Sequence, residues 1–301
     1  MKRTACWLIL LATLLAWSCG PAASNSNPTP QGNTPQVAGN TPGLAKPANP
    51  DLILATTTST QDSGLLDVLI PMFETQTGYK VKPIAVGSGQ AMTMGERGDT
   101  DVLLVHAPDS EKKFMEAGHG VNRQLVMHND FVMVGPPSDP ARIKGTKAAR
   151  DALQRITDSK AIFISRGDNS GTDQLEKKLW AADPKGQSWY QESGQGMGQT
   201  LNIASEKKGY TVTDRATYLA VKKNLQLDVL VEGERSLLNI YHVIQVNPAK
   251  SDKINAIGAK ALVEFMTKKE TQDTIAKFGL EKYGQQLFFP DAGKTDEQVG
   301  Q

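Results

Sequence analysis

Apolar positions along the chain fall into short continuous runs separated by stretches of helical period, and the two kinds of segment alternate. After residue 50, Leu52 to Ala55 is an apolar strand, followed by Thr56-Thr57-Thr58-Ser59-Thr60. Residues 62–77 then place Leu65, Leu66, Leu69, Ile70 and Phe73 at helix-like spacing, and Gly78 is set to end that helix as a C-cap. Val81 to Val86 predicts the next strand, and Gly87-Ser88-Gly89-Gln90 turns into a helix reaching about Arg97. Asp101 to Val105 is a third strand, with Asp109 placed to cap a third helix. This βαβαβα order predicts a parallel sheet with helices on both faces.

Two longer extended segments stand apart, Asp130 to Val134, ended by Gly135-Pro136-Pro137, and Asn239 to Val246. Between them the pattern predicts a second α/β unit: helix 148–156, strand 161–164, helix 172–182, helix 198–208, strand 210–213 and helix 214–222. Two helical stretches at 252–267 and 269–278 then return to close the first unit. One α/β unit inserted in another and joined by two crossing strands resembles the two-lobed type II fold of periplasmic binding proteins. There each lobe is an open sheet flanked by helices, the crossings form a hinge and the ligand lies in the cleft. The expected division is 51–130 and 240–290 for the first lobe, 131–239 for the second, and a flexible tail at 291–301.

The first residues change the picture of where this body works. Lys2 and Arg3 precede an apolar run from Trp7 to Trp17 broken only by Thr13, too short to span a bilayer as a stable helix but suited to an export signal. Ser18-Cys19-Gly20 follows and resembles a bacterial lipobox, which implies lipidation at Cys19 and places residues 1–19 in a lipoprotein signal peptide. An ordinary cleaved signal with an incidental Cys19 is the alternative. Residues 20–50 are rich in Pro, Asn, Thr, Gly and Ala, with Lys46 as their only charge; they read as a disordered tether between anchor and body.

Charge and cysteine content narrow the function classes. The 33 Lys and Arg nearly balance the 32 Asp and Glu, which argues against a nucleic-acid partner. The two cysteines are Cys6, inside the signal, and Cys19, so a disulfide framework and a Cys-based metal site are both excluded for the mature body. No metal ligands and no cofactor are expected.

The candidate chemistry is a recurrence. Strand after strand ends in Gly, Ser and Thr that open a helix: Thr56–Thr60, Gly87–Gly89, Ser165–Thr172, Gly196–Thr200 and Thr211–Thr213. Ligands of open α/β sheets bind beyond the carboxyl ends of the strands. Helix N-termini supply unpaired N–H groups there, hydroxyls add donors, and glycine permits close approach. Each cluster taken alone is as well explained by strand and cap preferences; the argument rests on all of them falling at one structural position. Ser165-Arg166-Gly167-Asp168-Asn169-Ser170-Gly171-Thr172 is the most specific stretch. Arg166 can grip an oxyanion through two N–H groups, and Asp168 either holds Arg166 or accepts a proton from the ligand. Against an enzyme, no G-x-S-x-G elbow precedes a helix and no H-E-x-x-H spacing occurs. His106 is read as a structural residue at a strand end. Glu232 and Glu234 are read as a solvated face, and Trp180, Trp189 and Tyr190 as core.

Those same loops, together with Ser193–Gly198 and Tyr210–Arg215, resemble the tungstate-binding proteins of ABC importers, in order, over roughly residues 51 to 285. The resemblance implies an extracytoplasmic, membrane-anchored, monomeric binding protein that takes tungstate, with molybdate as a second ligand, and passes it to a permease with its ATPase. It carries oxyanion contacts over to Thr57, Thr58, Ser59, Ser88, Ser165, Arg166, Ser170 and Thr172, with Asp168, Gly171, Gly198 and Thr213 in support. Phosphate- and sulfate-binding proteins of the same fold share a similar Arg-x-Asp-x-Ser-Gly-Thr loop and remain the main alternative, with a secreted hydrolase behind them. The orientation of Asp168 discriminates: a carboxylate turned to the ligand suits protonated phosphate, whereas it would repel tungstate or molybdate.

Overall fold

The computed structural model describes residues 47–299, all within one compact unit, Leu44–Gln301. The signal, Cys19 and most of the tether lie outside the described residues. Its first half follows the expected alternation: β1 (Asp51–Thr57), α1 (Thr58–Asp62), α2 (Leu66–Thr77), β2 (Lys80–Val86), α3 (Ser88–Arg97), β3 (Val102–Val105) and α4 (Pro108–Glu116). Strand β1 lies between β2 and β3 and is parallel to both. Period-two alternation loads both faces: Leu52, Leu54, Val102 and Leu104 join one apolar cluster, Ala55, Leu103 and Val105 another. At about 1.5–3 kcal/mol per large apolar side chain buried, these clusters fix which face each helix covers.

Two local expectations are corrected. The helix expected over 62–77 starts later, at Leu66, and a separate short helix, α1, precedes it. The Thr run itself opens α1, because Thr57 Oγ1 accepts from Thr60 N at 3.2 Å. Ser63 and Gly64, the latter at φ +82°, break the chain before α2. Asp109 lies in the first turn of α4 rather than at its cap, which is Ala107.

The long strand β4 (Gly120–Gly135) crosses between the lobes. Beyond it come α5 (Ala149–Ser159), β5 (Phe163–Ser165), α6 (Gly171–Leu179), β6 (Tyr190–Glu192), α7 (Met197–Glu206), β7 (Thr211–Asp214), α8 (Arg215–Val221) and β8 (Asp228–Val231). The second crossing strand, β9 (Leu238–Val246), leads to α9 (Ala256–Thr267), α10 (Lys269–Lys277), α11 (Leu280–Tyr283) and β10 (Phe289–Pro290). The first-lobe sheet runs β10-β4-β9-β3-β1-β2. It is mixed rather than parallel, since β9 returns antiparallel to β3 and β4. The far end of β4 pairs with β7 and β8 in the second lobe. That lobe has its own core, with Phe131, Met133, Phe163, Trp180, Trp189, Tyr190 and Tyr210 on one face and Val132, Val134, Ile164, Leu201 and Tyr218 on the other. The three aromatics read as core are core.

The ends of the body are better packed than expected. Asn255 Nδ2 donates to the carbonyls of Asn49 and Asp51, and Lys80 N donates to Pro50 O, so the packed body includes residue 49. The tail from 291 is docked through residue 299. The Asp291 carboxylate is buried against His128 and Lys294, Asp296 bonds His242 and Arg123, and Val299 is buried. Glu232 and Glu234 are not merely solvated: Glu232 pairs with Arg215, and Glu234 caps α5 by accepting from Ala149 N at 2.5 Å.

Candidate functional site

Helices α1, α3, α4, α6, α7 and α8 each begin just past the carboxyl end of a strand, and their first turns face one another across the two lobes. Each first turn leaves backbone N–H groups without an intrahelical partner. The lobes touch at several of these points. Met197 N donates to Thr58 Oγ1 at 3.4 Å and Gly198 N to Asp62 Oδ2 at 3.3 Å. Gly89 N donates to Asn169 O at 3.3 Å, and Thr217 Oγ1 to Ser59 O at 3.1 Å. Toward the rim, Ser110 Oγ donates to Gln174 Oε1 at 2.7 Å and Lys178 pairs with Asp109. The structure is the closed arrangement.

Arg166 lies at the centre and is only 2 % exposed. Its Nη2 bonds the Asp168 carboxylate and, at 3.2 Å, Thr58 Oγ1. Nε and Nη1 are buried without a partner. Asp168 is fully committed to its own loop, since its second oxygen accepts from Ser170 N at 3.1 Å. Two further donors are buried without a partner, Ser88 Oγ at the start of α3 and Thr172 Oγ1 at the start of α6. Thr58 Oγ1 accepts from both Arg166 and Met197, which leaves its own hydroxyl proton to donate. Buried polar groups are almost always satisfied, so unpartnered donors on the Arg166 loop and at the starts of α3 and α6 are candidate contacts for an acceptor-rich ligand.

The remaining expected contacts sort by what already holds them. Thr57 Oγ1 caps α1 and meets Thr60 Oγ1, Ser59 Oγ and His106 Nε2 at 2.6, 3.1 and 3.1 Å. Ser59 Oγ reaches the same His106 nitrogen at 3.2 Å. Thr57 and Ser59 therefore shape the turn that presents Thr58. Thr56 belongs to the sheet, its hydroxyl donating to Leu104 O at 2.9 Å. Ser170 Oγ caps α6 through Asp173 N at 3.2 Å. Ser165, expected as an anion contact, turns away: its hydroxyl donates to Glu176. Thr213 Oγ1 donates to Asp214 O at 3.1 Å within β7. Gly171 permits closure directly, because a Cβ there would lie 2.5 Å from His106 O.

Sequence reasoning missed the carboxylates beneath the loop. Asp173 Oδ1 accepts from Gly167 N at 3.0 Å and Oδ2 from Asn169 N at 3.1 Å, fixing the turn that aims Arg166. Glu176, three residues on and so on the same face of α6, accepts from Ser165 Oγ, from Trp180 Nε1 at 2.5 Å and from the Tyr190 hydroxyl at 3.0 Å. Burial pushes its carboxyl up to about 7 against those hydrogen bonds. The signal available was a pair of acids on the buried face of a helix behind the Arg loop.

Ser59 and His106 resemble a nucleophile and base in spacing, but not in chemistry. Burial, and then the charge of Arg166, push His106 down to about 3. A base so weak draws little proton from a hydroxyl near neutral pH. Its Nδ1 has no carboxylate to orient it. Among the described residues, no group of three or more His, Cys, Asp or Glu is placed to hold a metal ion. No helix among them is long and apolar enough to cross a membrane. What the arrangement can do is surround a small anion with directed donors.

Comparison with known proteins agrees with this geometry. The profile described as a PBP superfamily domain matches residues 29–270. The tungstate-binding protein TupA of Peptoclostridium acidaminophilum is 48% identical over 253 residues, covering 82% of this chain and 88% of that protein. The structure of the tungstate-binding protein TupA from Desulfovibrio alaskensis G20 is 47% identical with a TM-score of 0.67, covering 81% of this chain and 99% of that one. The structure described as the tungstate ABC transporter from Geobacter sulfurreducens is 48% identical with a TM-score of 0.70, covering 76% of this chain and 98% of that one. The chain therefore belongs to the periplasmic-binding-protein superfamily and, within it, to the family of the tungstate-binding proteins TupA.

Proposed function

We propose that this protein captures tungstate, with molybdate as a second ligand, between its two lobes and delivers it to the permease of an ABC importer and its ATPase. The observation that carries the reading is the set of buried donors without protein acceptors: Arg166 Nε and Nη1, Ser88 Oγ and Thr172 Oγ1, joined by the Thr58 hydroxyl. A tetrahedral dianion presents only acceptors, so it completes that set. The carboxylate that a protonated phosphate would need is turned onto Arg166 and Ser170 N, which favours a fully deprotonated oxyanion. Closure excludes water and strengthens each hydrogen bond to the anion. The protein acts as a monomeric binding protein without cofactor or catalytic turnover. The Lys2-Arg3 start, the apolar run and Ser18-Cys19-Gly20 support export and a lipid anchor at Cys19, with residues 20–48 as the tether. Residues 49–128 and 240–299 form the lobe that carries Thr58 and Ser88, and residues 131–238 the lobe that carries Arg166 and Thr172.

Isothermal titration of the protein with tungstate, molybdate, sulfate and phosphate tests the ligand. One tungstate per chain is expected, molybdate weaker or equal, and phosphate undetected at the same concentrations. Phosphate binding without tungstate binding would overturn the reading. For the anchor, Cys19→Ser is expected to move the protein from the membrane fraction to the soluble one.

A further inference from the structure

Beside the anion loops, between the crossing strand β9 and the rim pair Asp109–Lys178, lies a cavity of about 80 Å³ whose lining includes His106, Phe131, Gly171 and Asn239. Two of these carry a buried polar atom without a partner, His106 Nδ1 and Asn239 Oδ1, and the residues are 3 % and 1 % exposed. Asn239 belongs to β9 and is in register with Asn129 of β4, one pair before the two strands part. Its Nδ2 spends both hydrogens, on Asn129 Oδ1 at 2.8 Å and on the Tyr241 hydroxyl at 2.9 Å. What Asn239 offers the cavity is an acceptor. On the other edge of the His106 ring, Nε2 faces the hydroxyls of Thr57 and Ser59, each able to donate to it. A neutral imidazole has one N–H and one lone pair. The lone pair belongs at Nε2, and the N–H at Nδ1, toward the side where the unpartnered acceptor lies. The cavity is lined more by apolar than by polar groups, and the Asn239 side chain lies close enough to act as a direct acceptor toward the His106 ring.

We propose that His106 is a positioning residue of the anion site, its Nδ1–H directed at the side-chain oxygen of the hinge amide Asn239, so that Nε2 accepts from the Thr57–Ser59 turn and ties the setting of that turn to the hinge. The proposal rests on the oxyanion-binding reading above and adds how closure reaches the Thr58 donor. When the lobes rotate, Asn129 and Asn239 move with the strands that cross. The turn then holds its closed geometry only when the hinge is closed.

The test uses the exported chain labelled with ¹⁵N-histidine, with the His106 resonances assigned by loss in His106→Gln. The expected spectrum is that of the Nδ1–H tautomer, at pH 6 as at pH 8. In Asn239→Leu, which removes the acceptor at similar volume, the spectrum is expected to become a mixture of tautomers, and tungstate affinity to fall roughly tenfold. An Nε2–H tautomer in the parent overturns the proposal without need of the variant. So does an Asn239→Leu protein whose His106 spectrum and tungstate affinity both match the parent. Titration of the parent separates this from the ligand assignment, because absence of tungstate binding there refutes the functional reading and leaves the tautomer result standing.

Discussion

Replacing Arg166 by alanine removes two buried nitrogens that face no protein acceptor, and the structure sets the size of the effect. Each hydrogen bond from a charged donor contributes about 1.5–3 kcal/mol, and Nε and Nη1 together offer two. Their loss corresponds to roughly 3–6 kcal/mol, or about 10²- to 10⁴-fold in Kd at about 1.4 kcal/mol per decade. The same change removes the charged partner of Asp168, leaving its carboxylate held only by Ser170 N, which adds repulsion toward the anion. Arg166→Ala/Asp168→Asn should therefore bind more tightly than Arg166→Ala alone, though still more weakly than the parent. Arg166→Lys keeps a charge but not the fork and is expected to fall between. Isothermal titration with tungstate reads all three. An Arg166→Ala protein that binds within threefold of the parent would refute the reasoning, since no screening argument applies to a side chain 2 % exposed.

Gly171→Ala places a Cβ 2.5 Å from the backbone oxygen of His106 and 2.6 Å from its Nδ1, so it should act as a wedge against closure. Overpacking of this kind typically costs about 1–3 kcal/mol, which predicts a roughly 5- to 150-fold loss of tungstate affinity and a scattering profile that stays expanded with ligand; unchanged compaction would contradict it. Glu176 is pushed up to about 7 by burial, so the folded state holds its proton more tightly than the unfolded chain. The stability this contributes is present below the ordinary carboxylate value and is lost as pH rises through about 7. The Tm of Glu176→Gln relative to the parent should accordingly rise between pH 5 and pH 8, and a constant difference would show ordinary ionisation. The Asp109–Lys178 pair joins the lobes but is largely exposed, so Asp109→Ala should change tungstate affinity less than about threefold, with the difference gone at high salt; a tenfold loss would make the rim pair part of the site.

Much of this was legible because the sequence repeats one local rule. Apolar runs of four to six residues ending in Gly, Ser or Thr gave β1, β2, β5 and β7 and the helices they open, and the Ser165–Thr172 loop could be aimed before its partners were known. What failed depended on contacts remote in sequence. The start of β4 is masked by polar Asn122, Arg123 and Gln124: Gln124 pairs with Val243 of β9, whereas Asn122, at φ +53°, and Arg123 lie in an irregularity of that pairing. The docking of Asp291 and Asp296 depends on His128, Arg123 and His242, and the cap of α5 on Glu234, 85 residues away. Within the site, residue type named the hydroxyls but could not tell a donor facing the ligand from one already engaged. Ser165 is held by Glu176 and Thr57 by the α1 cap, whereas Ser88 and Thr172 are unpartnered. Only the three-dimensional hydrogen-bond inventory makes that distinction.

The central claim is that a tetrahedral oxyanion sits where these donors converge. A crystal of the protein grown with tungstate, measured on both sides of the tungsten absorption edge, tests it directly. The account predicts one strong anomalous peak per chain, enclosed by Thr58, Ser88, Arg166 and Thr172, with Asp168 still turned onto the guanidinium. A peak elsewhere on the molecule, or none at saturating tungstate, would contradict it.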